Sequence, residues 1–360
     1  GRTVDPGGLF DVVVGNPPYL GQLARPDGGR VALVLPQSVL ATRDTAAIRR
    51  AVTDVAAVTG FWWTSARVFP AAVNVGILVL QRGVAQESVR RWEGRAFSRR
   101  ADVPADAVLG PTWAPLIADL AGLPPVGLTA TQGRLADLAS ATAGFRQHFY
   151  GLVPFVGDGG DGPPLVTSGL IDAGTCAWGA RPARFAKRTF AAPRVDLDAL
   201  DRADAKLAAW VRQQLAPKVL VAAQTRVIEA VVDPHGVWVP SVPVVAVHPR
   251  RVEDLWAVGA VLLAPPVAAW AAQRYLGAGL GPTTLKLSAP QLLELPLPLP
   301  GRPWDDAARC LRTGDVDGCA VLMGAAYGLD PLIYGPLLAW WRDAAEPAGR
   351  RRTVPRRPEG

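Results

Sequence analysis

The chain has 360 residues, 49% hydrophobic and 19% charged, with 38 basic and 31 acidic side chains, a net charge of +7 and an isoelectric point near 9.8. This length accommodates two domains, and the hydrophobic share excludes general disorder. Cys176, Cys310 and Cys319 have no CxxC spacing, which excludes a disulfide framework and a structural zinc site from the expected chemistry. The positive balance suits a polyanionic partner. Only Lys187, Lys206, Lys218 and Lys286 are lysines, so the charge is nearly all arginine, which the codon bias of a GC-rich genome also explains. His148, His235 and His248 are scattered and read as surface or loop residues without a chemical role.

Phe10-Asp-Val-Val-Val14 reads as the first strand, and Gly15 leads it into Asn16-Pro17-Pro18-Tyr19. Neither proline has a backbone N–H, so the ladder stops there, and each pushes the residue before it into extended geometry. The turn leaves a rigid strand end with the Asn16 amide and nearby carbonyls as fixed acceptors. In open α/β sheets, ligands bind at that end of the strands. A planar NH₂ nitrogen has a poorly available lone pair. Two acceptors that take its hydrogens move it toward a nucleophilic geometry, and the Tyr19 ring gives a planar base a stacking surface.

These residues resemble the catalytic motif of amino-methyltransferases that use S-adenosylmethionine, and best of all the gamma class of N6-adenine DNA methyltransferases, which includes type IIG restriction–modification enzymes. The resemblance covers residues 5–85. It implies that Asn16 and the Pro17 carbonyl hold the adenine amino group, that Pro18 completes the rigid turn, and that Tyr19 stacks on a flipped base. A strand followed by a proline-rich turn with no catalytic role is the alternative.

Val31–Leu35 reads as a second strand buried on both faces, as in a parallel sheet. Thr42 is the expected N-cap of a helix from Arg43 to about Ala57. Gly60–Trp63 and Asn74–Leu80 read as further strands. Their order resembles the end of a methyltransferase sheet, whose last strands form an antiparallel pair. In the family a second base-stacking aromatic lies near the intervening loop, and Phe69 matches it by position. The alternative for Phe69 is a core ring that pins the loop.

Two departures from the family bear on function. The gamma class has a Gly-rich loop and an acidic ribose ligand before the Asn-Pro-Pro-Tyr strand, and nothing of that kind precedes Phe10. The late candidate Gly277-Ala278-Gly279-Leu280-Gly281 follows a helical pattern and reads as a turn. Most of the adenosylmethionine pocket is therefore expected to be missing, and an upstream segment or separate chain would supply it. Gly1 in place of Met suits a fragment or a processed chain. The connection Leu20–Gly29 is also shorter than a usual parallel crossover, which points to a deletion, a degenerate gene or an unusual connection.

Residues 86–126 mix charge, prolines and one short helical stretch, and read as a linker. Beyond it, Leu135–Ala141 reads as a short helix. Lys218–Ala223, Val227–Val232 and Trp238–Val247 read as strands, the last two joined by the turn Asp233–Gly236. Val252–Leu263 and Val267–Leu276 read as helices separated by Pro265-Pro266. A short strand at Thr283–Leu287, a helix from Ser288 and Leu295-Pro296-Leu297-Pro298 follow. This closing order resembles the end of a DNA target-recognition domain, as in type IIG enzymes and type I specificity subunits. Lys218, Gln224, Arg226, Thr283, Thr284 and Lys286 are the candidate phosphate or base contacts, each with an ordinary solvated residue as its alternative.

The expected fold class is α/β, a partial Rossmann-like methyltransferase sheet followed by a mixed α+β target-recognition domain. The expected divisions are 1–85 for the C-terminal half of the catalytic domain, 86–126 for the linker and 127–300 for recognition. A helical segment (301–345) and a basic, disordered tail (346–360) complete the chain. The expected function is transfer of methyl from S-adenosylmethionine to adenine N6 in double-stranded DNA, without a metal, within a restriction–modification or related defence system. A remnant DNA-binding module, a protein glutamine methyltransferase and a structural α/β protein with a chance motif compete with it. The start of the chain lacks a signal pattern, and the longest apolar run, Trp256–Trp270, is broken by prolines, so a cytoplasmic location without membrane contact is expected.

Overall fold

The computed structural model describes residues 27–70, 73–144, 146–222, 224–279 and 281–346, with the backbone of Val12–Gly15. It is a mixed α/β structure that divides into two compact units, Gly1–Pro125 with Trp270–Lys286, and Val126–Ala269 with Leu287–Gly360.

Unit 1 is built on a six-stranded sheet of β1 (Val12–Gly15), β2 (Arg30–Pro36), β3 (Ala57–Trp63), β4 (Val75–Gln81), β5 (Val89–Glu93) and β6 (Ser98–Val103), in the order β1-β2-β4-β3-β5-β6. β1 runs parallel to β2, and β3 to β5, while β4 is antiparallel to both of its neighbours. β1, β2, β3 and β5 therefore all point the same way. The expected parallel pair at the start of the chain forms, Val12 opposite Arg30 and Gly15 opposite Leu33. β3 reads Ala-Val-Thr-Gly-Phe-Trp-Trp and is buried along most of its length, as a strand covered on both faces should be. At Gly60 a Cβ would sit 3.1 Å from the Trp92 ring, so the missing side chain lets the indole of β5 lie close.

Helix α1 starts later than expected, at Ala46, and ends at Val55. Thr42 does not cap it. Its hydroxyl donates to the Ser38 carbonyl at 2.9 Å and pairs with Thr45 Oγ1, and a 3₁₀ turn over Arg43–Thr45 intervenes. Local hydroxyl bonds have outcompeted the cap.

The stretch 86–126 is not a bare linker, because it supplies β5 and β6 to the sheet. Arg91 on β5 is buried and forks onto Asp119, with Nη2 2.8 Å from Oδ2, and donates to the Leu116 and Ala101 carbonyls. These bonds tie residues 98–119 to the strand. The mixed composition hid this, because Arg91, one charge among many in the stretch, is buried and satisfied by Asp119 and two backbone carbonyls.

Unit 2 contains a four-stranded antiparallel sheet of β7 (Ala139–Ala143), β10 (Lys218–Val221), β11 (Ala230–Asp233) and β12 (Val245–Pro249), in the order β11-β10-β12-β7. A separate hairpin pairs β8 (Ala183–Phe185) with β9 (Arg188–Phe190). The helix expected over Leu135–Ala141 is one turn, Leu135–Leu138, after which Ala139–Ala143 joins β12. Ladder hydrogen bonds override the local helix preference there. The strand expected over Trp238–Val247 is broken by a turn in which the Val244 N–H donates to the Ser241 carbonyl. Pro240 and Pro243 cannot donate, so the ladder cannot run through them.

The apolar run splits at Ala264 into α2 (Leu255–Leu263), in unit 2, and α3 (Pro265–Tyr275), whose residues from Trp270 on fall in unit 1, with Pro265 opening the second helix. No single helix among the described residues is long and apolar enough to cross a membrane. Gly259 of α2 lets β11 approach, since a Cβ there would lie 2.7 Å from Val232 Cγ2. α4 (Arg302–Arg312) packs on α2 and on α5 (Val316–Ala326). α6 (Pro331–Ala345) sets Tyr334, Leu337 and Trp341 into one core with Val227, Ala268 and Ala269. The segment 301–345 is thus part of unit 2.

Candidate functional site

The carboxyl ends of β1, β2, β3 and β5 lie along one edge of the unit 1 sheet, and β4 begins at that same edge, Val75 opposite Pro36 and Gly76 opposite Trp63. Such an edge is where open α/β sheets bind ligands. Asn16, Pro17, Pro18 and Tyr19 follow β1 directly in sequence and lie outside the described residues.

Gln37, the first residue after β2, organises the described part of this edge. It is buried; its Oε1 accepts from Trp63 Nε1 at 3.0 Å, its Nε2 donates to the Pro282 carbonyl at 2.9 Å, and its backbone N–H donates to the Asn74 carbonyl at 2.8 Å. One residue thereby joins the end of β3, the loop before β4 and the returning segment Trp270–Lys286. Sequence reasoning missed Gln37, since a lone glutamine after a strand carries no pattern.

Phe69 lies on the loop between β3 and β4, and it is 44% exposed, with Val68 and Val73 also exposed nearby in sequence. A ring pinning the loop to the core would be buried, so this exposure goes against that alternative. Thr64 shapes the start of the loop, its hydroxyl accepting the Ala66 N–H at 3.1 Å.

The glycines of the late turn do not form an open cradle. A Cβ at Gly277 would lie 3.1 Å from the Gln37 carbonyl, and one at Gly279 would lie 2.4 Å from the Thr284 carbonyl. Each glycine is filled by its own protein, so this turn does not fit the methionine or ribose of adenosylmethionine. Among the described residues no cluster of His, Cys, Asp or Glu could hold a metal ion.

The candidate DNA contacts separate. Lys218 is corrected: its side chain is 0% exposed and its ammonium lies 2.7 Å from Asp233 Oδ2, with a further bond to the Ala216 carbonyl. Asp233 also accepts from the Val237 and Trp238 N–H groups, at 3.1 and 3.0 Å, and so holds the turn between β11 and the next strand. Burial pushes the Lys218 amine below its ordinary range, against the opposing pull of Asp233. A buried, paired ammonium cannot reach a phosphate. Arg226 is half-buried and pairs with Asp343 at 3.2 Å, whereas Gln224 is exposed.

Thr284 Oγ1 accepts from the Gly281 N–H and donates to its carbonyl, which makes it a turn residue. Thr283 is half-buried and Lys286 exposed. These three belong to unit 1, and Lys218, Gln224 and Arg226 to unit 2. The histidines are also corrected in part. His148 stacks on Trp210 at 4.1 Å, and His248 is a half-buried residue of β12 opposite Ser140. Sequence reasoning also passed over Arg184, Lys187 and Arg188, because their hairpin turns on Ala186-Lys187 without the Asn-Gly signal.

No protein-family model matches the chain, and no curated protein does. Among solved structures it is similar to the type IIL restriction-modification enzyme MmeI in complex with DNA, at 11% identity and a TM-score of 0.48, over 91% of this chain and 50% of that one. It is also similar to the type IIG restriction endonuclease BpuSI, at 9% identity and a TM-score of 0.33, over 85% and 48%. A modification subunit of a putative type I restriction enzyme from Vibrio vulnificus YJ016 matches 25% of the chain and 26% of its own, at 16% identity and a TM-score of 0.22. The chain spans about half the length of the first of these.

Proposed function

We propose that this chain is the base-handling and DNA-recognition part of an adenine-N6 DNA methyltransferase of the restriction–modification kind. One observation carries the reading. Asn16-Pro17-Pro18-Tyr19 begins at the residue after β1, in a sheet where the antiparallel β4 lies between the parallel β2 and β3. Asn16 and the Pro17 carbonyl would accept the two N6 hydrogens of an extruded adenine, Tyr19 would stack on its face, and the exposed Phe69 would meet the base or its neighbour from the β3–β4 loop. These groups position the amino nitrogen and sharpen its lone pair, and need no covalent intermediate. The methyl donor, S-adenosylmethionine, would be held by residues other than the filled 277–281 turn. Flipping costs a few kcal/mol, and contacts of unit 2 to duplex DNA would offset it.

The test is methylation of duplex DNA by the complete protein with labelled S-adenosylmethionine, followed by nucleoside analysis. The expected product is N6-methyladenine, lost in Asn16→Ala with DNA affinity nearly intact. An active Asn16→Ala enzyme, or label on protein glutamine, sinks the reading. DNA binding with no methylation by the complete protein would instead favour a remnant module, the second reading, which the filled glycine turn supports.

A further inference from the structure

The β8–β9 hairpin is seated in unit 2 by one face and carries three exposed cations, Arg184 on the opposite face, Lys187 at the turn, and Arg188 at the turn end of the seated face. Ala183, Phe185 and Phe190 are buried, while Arg184, Lys187, Arg188 and Thr189 are exposed. Arg184 stands opposite Thr189 in the ladder, on the face away from the buried Ala183–Phe190 pair. Asp158 fixes the exit of the hairpin, its two oxygens accepting from the Ala191 and Ala192 N–H groups at 3.0 and 2.7 Å. Some exposed arginines of this unit pair with carboxylates, as in Arg212–Asp201, Arg251–Glu253 and Arg342–Asp317, and others, such as Arg202 and Arg312, stand singly among the described residues. Among the described residues, Arg184, Lys187 and Arg188 have no carboxylate partner, and Arg188 rests over the Phe190 ring at 4.9 Å.

The two turn residues, Ala186 and Lys187, hold φ of 49° and 63°, a region that L side chains adopt at a cost and that Asn-Gly would occupy more easily. Beside the hairpin opens a cavity of about 490 Å³, lined by Arg184, Lys187, Thr167, Ser168, Ser241 and Pro243. The buried Ser168 hydroxyl has no hydrogen-bond partner. Three exposed cations without carboxylate partners on a two-stranded ribbon are donors without acceptors.

We propose that the Ala183–Phe190 ribbon and the cleft beside it are the surface by which unit 2 grips the phosphate backbone of duplex DNA. The exposed side chains are arginine, lysine and threonine, all of which donate to phosphate oxygens. This rests on the reading of the chain as a duplex-binding protein, and it replaces Lys218 with residues that solvent can reach.

The experiment is duplex binding by the full chain, followed by fluorescence anisotropy across a salt series. The variant Arg184→Gln/Lys187→Gln/Arg188→Gln should lower the slope of log K against log salt by about two to three, since each lost phosphate contact removes roughly 0.9. Arg184→Lys/Arg188→Lys should keep the slope, and so should Arg202→Gln/Lys206→Gln, which removes two exposed cations elsewhere in the unit. If circular dichroism shows the triple variant misfolded, Lys187→Gln alone decides, with an expected loss of about one unit of slope. A folded triple variant with the original slope, an equal loss in the Arg202/Lys206 variant, or an unchanged Lys187→Gln slope overturns the ribbon assignment alone. A wild-type chain without salt-dependent duplex binding overturns the DNA reading as well.

Discussion

The Lys218 ammonium and the Asp233 carboxylate meet at 2.7 Å with 0% and 1% of their side chains exposed, and they lock β10 to β11 at the register where these two residues face each other. Each charge is compensated only by the other and by backbone groups. Removing one leaves the other buried and unpaired, which costs about 3–5 kcal/mol. Lys218→Met should therefore destabilise unit 2 by that amount in urea unfolding. Its folded fraction should keep the salt slope of DNA binding, whereas a slope lowered by about one would return Lys218 to the interface.

Gln37 makes a second prediction. In Gln37→Leu the Trp63 indole N–H and the Pro282 carbonyl lose their partner. A buried polar group left unsatisfied costs about 1–3 kcal/mol, so thermal unfolding should come several degrees earlier. Methyl transfer by the complete protein should fall with it, because the β2 end, the β3 end and the returning segment meet at this side chain. Wild-type stability in this variant would show that water replaces the amide.

Phe69 separates function from stability. Its exposure means that Phe69→Ala should leave the melting temperature nearly unchanged. If the ring stacks on a base, transfer efficiency should fall by roughly ten- to a hundredfold, the range of about 1–3 kcal/mol per stacked base. Phe69→Tyr should restore it. A kinetically silent Phe69→Ala would remove the ring from the site.

Acid should weaken unit 2 through His248. Burial, reinforced by the nearby Lys218 charge, holds its imidazole below the ordinary range. As pH falls below ~6.5, the unfolded chain takes up the proton before the folded one. The stability this histidine contributes is complete above that pH and is lost as pH drops through the folded value. Denaturant midpoints measured from pH 7 to pH 5 should fall, and His248→Gln should flatten the decline. An unchanged slope in the variant would assign the acid sensitivity to other groups.

Calorimetry gives a further check. The chain of 360 residues should bind S-adenosylmethionine weakly or not at all, since the Gly277 and Gly279 positions are filled by Gln37 and Thr284. Micromolar affinity would reveal a cofactor site elsewhere in the chain.

Much of the architecture was legible because it is written in short-range terms. The strands at Val31–Leu35, Gly60–Trp63 and Asn74–Leu80 announce themselves as apolar runs bounded by Gly and Pro, and all three lie within or largely within β2, β3 and β4. The break between α2 and α3 follows from Pro265, whose ring cannot continue the preceding helix. The Asn-Pro-Pro-Tyr motif is visible for the same reason, since it consists of four adjacent residues.

Tertiary structure decided what depends on partners distant in sequence. Nothing local says that Lys218 is buried, because the carboxylate that makes burial tolerable lies on another strand, at Asp233. Arg91 turns a stretch that resembles a linker into part of a sheet through Asp119 and two carbonyls. The segment after α2 rejoins unit 1 through Gln37 and Pro282, a bond across 245 positions. Arg184, Lys187 and Arg188 become an exposed cationic cluster only when the hairpin forms and Phe185 and Phe190 are buried. Periodicity and turn chemistry are properties of neighbouring residues, so the sequence displays them directly. Charge compensation and burial belong to pairs that only the folded chain brings together.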